Sequence, residues 1–140
     1  MRRDTGISPV IATIIIVAVA IAIAIAVAYW VVGIAGIFTR FEKLEISAAW
    51  YDSSTGYVIM KVRNTGSADA TITDVFVNGI PGATTNLTLP TTVASGQSIG
   101  IEVQNPPSSV TGGNWQSGVT YEITLHTASG KDYPKAVAIP

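Results

Sequence analysis

The feature that most constrains this chain is an uncharged apolar run over residues 10–38. It contains fifteen Ile or Val, eight Ala, three aromatic residues, two Gly and Thr13. As an α-helix these residues extend roughly 43 Å, because each residue adds about 1.5 Å. The apolar core of a bilayer is ~30 Å thick and needs only about 20 residues. The run is therefore about two to three turns longer than one membrane crossing requires.

The order of residues predicts a helix that is apolar on every side. Residues 17–28 read VAVAIAIAIAVA and alternate as a strand does, but a lone strand would leave its backbone unpaired in lipid. In a helix, Ala and Ile then spread over all faces, and a helix that is apolar all round must be buried all round. Small residues let neighbouring helices approach closely. We expect such helix–helix packing at Ala20, Ala24, Ala28, Gly33 and Gly36.

The residues before the run predict where the helix begins and how it is oriented. Ser8 can cap the first free amides, and Pro9 suits the first helical position. The preceding MRRDTG supplies two arginines, which favour a cytoplasmic amino terminus and an outward-facing remainder. A membrane-length span from Pro9 ends at Ala28, so Tyr29 and Trp30 fall where an interfacial aromatic belt is expected. An ordinary secretory signal has an apolar core of only about 7–15 residues. The apolar run over residues 10–38 is about twice that length, so it does not fit such a signal.

The leader ending in Gly6, the start ISPVIAT and the long apolar helix together resemble archaeal type IV pilins, the subunits of adhesion pili and related surface filaments. The resemblance covers residues 1–38. It implies a class III signal peptide, cut by a prepilin peptidase between Gly6 and Ile7 on the cytoplasmic side. It also implies an assembly ATPase and a membrane platform protein as partners. Bacterial pilins usually carry a glutamate at the fifth mature position, which here is Ile11, and this departure favours the archaeal branch.

The remaining residues predict a β-domain. Short alternating runs are separated by turn signals such as DSSTG, NTGS and Asn78-Gly79. About seven strands in this length predict an antiparallel, immunoglobulin-like β-sandwich after the helix, an α+β fold. In the first run we expect Leu44, Ile46, Ala48 and Trp50 to share one face. The expected division is 1–6 leader, 7–40 helix and 41–140 outward-facing domain.

Motifs for catalysis or cofactor binding are lacking, so we expect no enzyme and no cofactor. His126, the only histidine, is expected to be an exposed polar residue. Asp69, Asp74 and Asp132 lack the spacing of a calcium loop. The absence of cysteines excludes thiolate metal sites, and a net charge near zero without a basic stripe makes nucleic acid an unexpected partner.

Two further residues are candidates for roles in the β-domain. Asn86 begins an N-x-T sequon and is a candidate for N-glycosylation. Trp115 lies in a loop rich in Gly, Ser and Pro, and is expected either to plug the core or to form an exposed contact.

These features favour a filament subunit that polymerises with copies of itself. The precursor would sit in the cell membrane, and the mature protein in an extracellular adhesion filament. One alternative is a membrane-anchored β-sandwich binding module with an uncleaved helix. Another is an archaellin, the subunit of a rotary motility filament.

Overall fold

The computed structural model describes residues 9–140, which divide after Thr39 into a helical unit and a β unit. The helical unit consists of α1, Pro9–Phe38. Proline begins the helix because its missing N–H is one that the first turn leaves unpaired in any case. Thr13 Oγ1 donates to Pro9 O at 2.7 Å, and Thr39 Oγ1 donates to Ala35 O at 2.9 Å. Both hydroxyl groups are thus satisfied within the helix.

The β unit contains eight strands in two antiparallel sheets. The strands are β1 (Leu44–Asp52), β2 (Tyr57–Asn64), β3 (Ala70–Val77), β4 (Thr84–Thr85), β5 (Thr91–Val93), β6 (Ser98–Asn105), β7 (Thr120–Thr127) and β8 (Asp132–Ala138). The strand orders are β1-β2-β6-β4 and β5-β3-β7-β8. A short 3₁₀ turn, Thr111–Gly113, lies in the loop between β6 and β7.

One hydrophobic core lies between the two sheets. Side chains from β2 and β6, among them Met60 and Ile101, form a single buried cluster with Ile72, Ile123 and Leu125 from β3 and β7. The sheet that contains β1, β2 and β6 faces the sheet that contains β3, β7 and β8. In immunoglobulin-like sandwiches, strands A, B and E face strands C, F and G in the same way. The predicted α+β class, a long apolar helix followed by an antiparallel sandwich, is confirmed.

The prediction that Leu44, Ile46, Ala48 and Trp50 share one face of β1 is wrong for the residues after Ile46. The pairing of β1 with β2 shifts register between Ile46 and Ala48, so Ser47 forms a bulge. An extra residue moves every later side chain to the opposite face. Tyr51 therefore packs against the core, whereas Trp50 is 40% exposed on the outer side of the sheet.

Two turns form as their residues predict. Asn78 and Gly79 both have positive φ, 51° and 78°, which is the conformation of a type I′ turn, and Val77 pairs with Ile80 around them. In the DSSTG turn, the Oδ1 atom of Asp52 accepts from Ser54 Oγ at 2.6 Å and from Ser54 N at 2.9 Å. Hydrogen bonds from the Ser54 hydroxyl and amide to the ionised form lower the pKa of the Asp52 carboxyl.

Residues 41–43, which directly precede β1, are fixed by the turn between β2 and β3. Ser67 N and Ala68 N donate to Phe41 O at 3.0 and 3.1 Å. A Cβ on Gly66 would lie 2.5 Å from Phe41 O, so only glycine allows this approach. From the turn between β7 and β8, Lys131 Nζ donates to Glu42 O at 2.9 Å.

Tyr133 of β8 also contacts residues 41–43. Its hydroxyl lies 3.5 Å from Glu42 O and is partly buried. Burial raises the pKa of Tyr133, and the nearby Glu42 carboxylate adds to the rise because it disfavours a second negative charge. The protonated phenol can therefore donate to Glu42 O throughout the neutral range of pH.

Candidate assembly surface

The surface of α1 is the largest unexplained feature of the described chain. None of the 30 residues of this helix is buried, and it carries no acidic residue in its first turn and no basic residue in its last. Tyr29 is 86% exposed, Trp30 is 66% exposed and Phe38 is 81% exposed. Contiguous apolar surface of this extent marks a site of contact with lipid or protein. The helix therefore calls for an apolar covering such as lipid or protein.

A bilayer alone covers this helix incompletely. Within residues 9–140, α1 is the one helix that is long and apolar enough to cross a membrane. Its 30 residues extend about 45 Å, against a hydrocarbon core of ~30 Å. Tilting would have to reach roughly 48° to bring the whole length into lipid, beyond the 0–40° that membrane helices show. Part of the helix is thus left over when a single copy crosses a bilayer.

The two glycines of α1 have no close neighbour among the described residues of the helical unit. A Cβ added to Gly33 or to Gly36 would meet no atom within 4 Å. Glycine inside a helix costs about 1 kcal/mol relative to alanine, so the two positions weaken the isolated helix without a compensating contact in their own unit. Glycines that need no room within their own chain are typical of helix surfaces approached by another helix.

This glycine pair gives a prediction that separates packed helices from isolated ones. We expect Gly33→Leu to reduce the recovery of assembled protein about 5- to 150-fold, because packing a large side chain into a close helix contact costs about 1–3 kcal/mol. The measurement is the amount of subunit that sediments with sheared surface material. Val32→Leu, on the neighbouring position, is the matched control. Recovery of Gly33→Leu at the wild-type level would show that no helix approaches there.

The structure places the predicted site residues as follows. Gly6, Ile7 and Ser8 lie outside the described residues, and Pro9 is the first residue of α1. The alanines at 20, 24 and 28 follow one another at intervals of four residues, so they share one exposed face of the helix. Tyr29 and Trp30 are exposed at the position expected for an interfacial belt. These positions are compatible with the predicted roles, which stay predictions.

Asn86 is exposed directly after β4. Its Oδ1 accepts from Glu102 N at 2.9 Å, and its own N–H donates to Glu102 O at 3.0 Å. The side-chain nitrogen, to which an N-linked sugar attaches, makes no hydrogen bond to residues 9–140. A sugar at this position is compatible with the fold, and glycosylation stays a prediction.

The candidate titratable residues do not form a reaction site. His126 is half-buried, because its ring stacks on Phe76 at 5.3 Å, and its Nδ1 lies 2.6 Å from Asp132 Oδ1. Asp74 Oδ1 accepts from Val75 N at 2.7 Å, and Asp69 Oδ1 accepts from Ser95 N at 3.1 Å. Among the described residues, no group of three or more His, Cys, Asp or Glu side chains could hold a metal ion.

Trp115 packs against the core. Its Nε1 donates to Gln104 O at 3.0 Å, and its ring meets the Tyr121 ring edge-on at 5.0 Å. Of the two roles considered for this residue, the structure shows the core plug.

The stacking of His126 on Phe76 had no signal in the sequence, because the two residues lie on different strands.

Comparisons with known proteins show a relative in fold. No protein-family model matches the sequence, and no curated protein sequence matches it. Among solved structures, the archaellum periplasmic stator protein FlaG from Sulfolobus acidocaldarius is similar, with a TM-score of 0.51 at 17% sequence identity. The match covers 69% of this chain and 99% of the FlaG chain. At this identity the similarity shows a shared fold.

Proposed function

We propose that this chain is the structural subunit of an archaeal surface filament of the type IV pilus class, which serves attachment to surfaces or cells. The observation that carries the proposal is α1, a 30-residue helix with no buried residue and an apolar surface on every side. In a filament, copies of α1 pack together as the core and the β units form the outer surface. The similarity of residues 1–38 to archaeal pilins supports the same assignment.

The proposed assembly transfers the helix from lipid to protein. In the precursor, α1 spans the membrane and the β unit faces outward. After cleavage between Gly6 and Ile7, the helix leaves the bilayer and packs among other copies. Its fifteen Ile and Val residues favour an apolar environment by about 5–9 kcal/mol on a membrane-insertion scale, so the helix stays covered in both states. A prepilin peptidase, an assembly ATPase and a membrane platform protein are the proposed partners.

We propose a structural role without catalysis or a cofactor. Asp69 and Asp74 accept hydrogen bonds from backbone amides, Asp132 lies beside His126, and Glu122 is exposed at the surface. Within the described part of the chain, His, Cys, Asp and Glu side chains form no group of three or more that could hold a metal ion. The β unit thus supplies a folded surface around the filament core.

A second candidate is a membrane-anchored component of a filament system. The fold neighbour FlaG is described as a periplasmic stator protein of the archaellum. A chain with this role would keep its helix in the bilayer and present the β unit to partners outside. The excess length of α1 favours the filament subunit over this candidate. An archaellin has a similar helix, and loss of motility rather than of attachment on gene deletion would identify it.

Processing of the leader separates the first two candidates. We expect mass spectrometry of the subunit from sheared filaments to find an amino terminus at Ile7. Gly6→Val is expected to leave the full-length precursor in the membrane and to abolish filaments, because the peptidase of this class cuts after glycine. Thr5→Ser, one residue upstream, is the matched control. An intact Met1 in wild-type cells that lack filaments would contradict the proposal and favour the anchor.

A further inference from the structure

We propose that a sugar chain attached at Asn86 folds back over the outer face of the β1-β2-β6-β4 sheet and stacks on the ring of Trp50. Asn86 stands at one end of a row of residues that crosses this sheet, and Trp50 stands at the other end. The inference rests on the proposed function for the outward location of the β unit, because N-linked sugars occur on exported domains. It names the ligand that covers Trp50.

The row is defined by the pairing of the strands. Trp50 of β1 lies opposite Ile59 of β2, and Ile59 lies opposite Glu102 of β6. Asn86, directly after β4, continues the row, because Asn86 N donates to Glu102 O at 3.0 Å and Glu102 N donates to Asn86 Oδ1 at 2.9 Å. Neighbouring strands lie about 4.8 Å apart, so three such steps separate Asn86 from Trp50 by roughly 14 Å. A chain of a few sugar units spans this distance.

The members of the row face outward from the sheet. Ile59 and Glu102 each stand between two buried residues of their strands, so their own side chains point away from the core. Trp50 is 40% exposed on the same side. Asn86 is exposed, whereas the next residue, Leu87, packs against the core. The row is therefore an accessible path from the sequon to the indole ring.

The side-chain amide of Asn86 is oriented by one atom and open at the other. Its Oδ1 is held by Glu102 N, and its Nδ2 makes no hydrogen bond to residues 9–140. In the attachment step, Nδ2 forms a bond to the anomeric carbon of a sugar carried by a lipid-linked phosphate donor. The bond from that carbon to the phosphate oxygen breaks, the phosphate leaves with the electron pair, and Nδ2 loses one proton. Because the amide keeps its bond from Glu102 N, the first sugar begins beside the row.

The chemistry of the row suits a sugar chain. A sugar ring has faces of C–H groups and a rim of hydroxyl groups, and its C–H hydrogens are attracted to the negative face of an aromatic ring. Trp50 and the half-buried Ile59 supply apolar surface. Lys61 Nζ, 5.8 Å from the centre of the Trp50 ring, and the Glu102 carboxylate supply a donor and an acceptor for hydroxyl groups. Beside Lys61, Gly100 borders a shallow depression that gives room to a branched chain.

A charged partner from outside fits this sheet face less well than a sugar chain does. Lys61 and Arg63 share the face with Glu45, Asp52 and Glu102, so charges of both signs are mixed on it. Such a face attracts neither an acidic nor a basic partner strongly. A sugar chain needs no opposite charge, and its attachment to the same sheet gives it a high effective concentration at the row. Weak stacking is therefore enough to hold it there.

The reactivity of Trp50 tests the proposal on the full-length subunit, purified from the cells that produce it and dispersed in detergent. Thr88→Ala removes the sequon but keeps Asn86, and Thr88→Ser, which keeps the sequon, is the matched control. We expect hydroxyl radicals to oxidise Trp50 about two- to tenfold faster in Thr88→Ala than in the wild type, in proportion to the strength of ring stacking. Mass spectrometry of peptides measures this rate together with the sugar on Asn86. Trp115, which packs against the core, should react equally in all three proteins.

A double-mutant cycle tests whether the sugar acts through the indole ring. We expect Thr88→Ala to lower the Tm of the β unit by about 2–12 °C when Trp50 is present, because the stacking is lost. In a Trp50→Ala background the same change should shift the Tm by less than about 2 °C, because the sugar then has no ring to stack on. A sugar that only extends into water would give equal shifts in the two backgrounds and overturn the proposal.

The other outcomes separate this inference from the filament itself. A wild-type Asn86 peptide without sugar overturns the inference, and so does equal reactivity of Trp50 with and without the sugar. Protection of Trp50 in filaments of every variant, lost on dispersal, would assign the cover to a neighbouring subunit and also overturn it. None of these results contradicts the filament. If wild-type cells make no filaments, the proposed function fails, whereas the sugar and the reactivity of Trp50 are still measured on the membrane-bound chain.

Discussion

Replacing Asn64 by alanine is expected to lower the free energy of unfolding of the β unit by about 3–5 kcal/mol. Asn64 is fully buried at the end of β2. Its Nδ2 donates to Ala68 O at 2.8 Å and to Val93 O at 2.9 Å, and its Oδ1 accepts from Gly66 N at 2.9 Å. Alanine removes the donor from two backbone carbonyls, Ala68 O and Val93 O, whereas Gly66 N keeps a second bond to Lys43 O at 3.2 Å. Each buried group left unsatisfied costs about 1–3 kcal/mol.

Thermal unfolding of the full chain in detergent micelles measures this effect. Since 1 kcal/mol shifts the Tm of a domain of this size by about 4–8 °C, we expect a fall of about 15 °C or more. Asn105→Ala, at the exposed end of β6, is the matched control and should change the stability by less than about 0.5 kcal/mol. A loss below about 1 kcal/mol for Asn64→Ala would show that these hydrogen bonds do not hold the turn.

A charge in the middle of α1 is expected to abolish assembly. Ala24→Glu places a carboxylate near the centre of the helix, where a charged residue costs about 2.5–3.5 kcal/mol on a membrane-insertion scale. We therefore expect filament recovery to fall about 70- to 400-fold, because the charge opposes the membrane insertion that precedes assembly. The measurement is the amount of subunit in sheared filaments.

The controls for this variant separate assembly from folding. Ala24→Ser keeps the size of the side chain and adds no charge, so it should retain filaments. The Tm of the β unit in Ala24→Glu should stay within about 2 °C of wild type, because residue 24 lies in the helical unit and the core of the β unit contains no residue of α1. Wild-type filament levels in Ala24→Glu would mean that α1 faces water or lies outside the filament core.

Much of the fold follows from local sequence signals. The uncharged run predicts α1, and alternating residues such as Val58, Met60 and Val62 predict the core side of β2. Asn78-Gly79 predicts its hairpin turn because both residues accept positive φ. These signals act over a few residues, which is why the sequence alone reveals them.

The features that the sequence does not reveal depend on distant contacts. The bulge at Ser47 reverses the expected face of Trp50, and Ser47 Oγ donates to Lys61 O across the pair of strands. The role of Asn64 depends on Val93, which lies 29 residues further along the chain. The row formed by Asp74, His126 and Asp132 appears only after the strand order brings β3, β7 and β8 side by side.

The covering of α1 by other copies is the central claim, and electron cryomicroscopy of sheared surface filaments tests it most directly. The account predicts a helical polymer whose core consists of α1 helices in contact with one another and whose outer layer consists of β-sandwich units. Each subunit in that polymer should begin at Ile7. The account is contradicted if the mature protein occurs as single copies, with α1 alone in the bilayer and no filament that contains it.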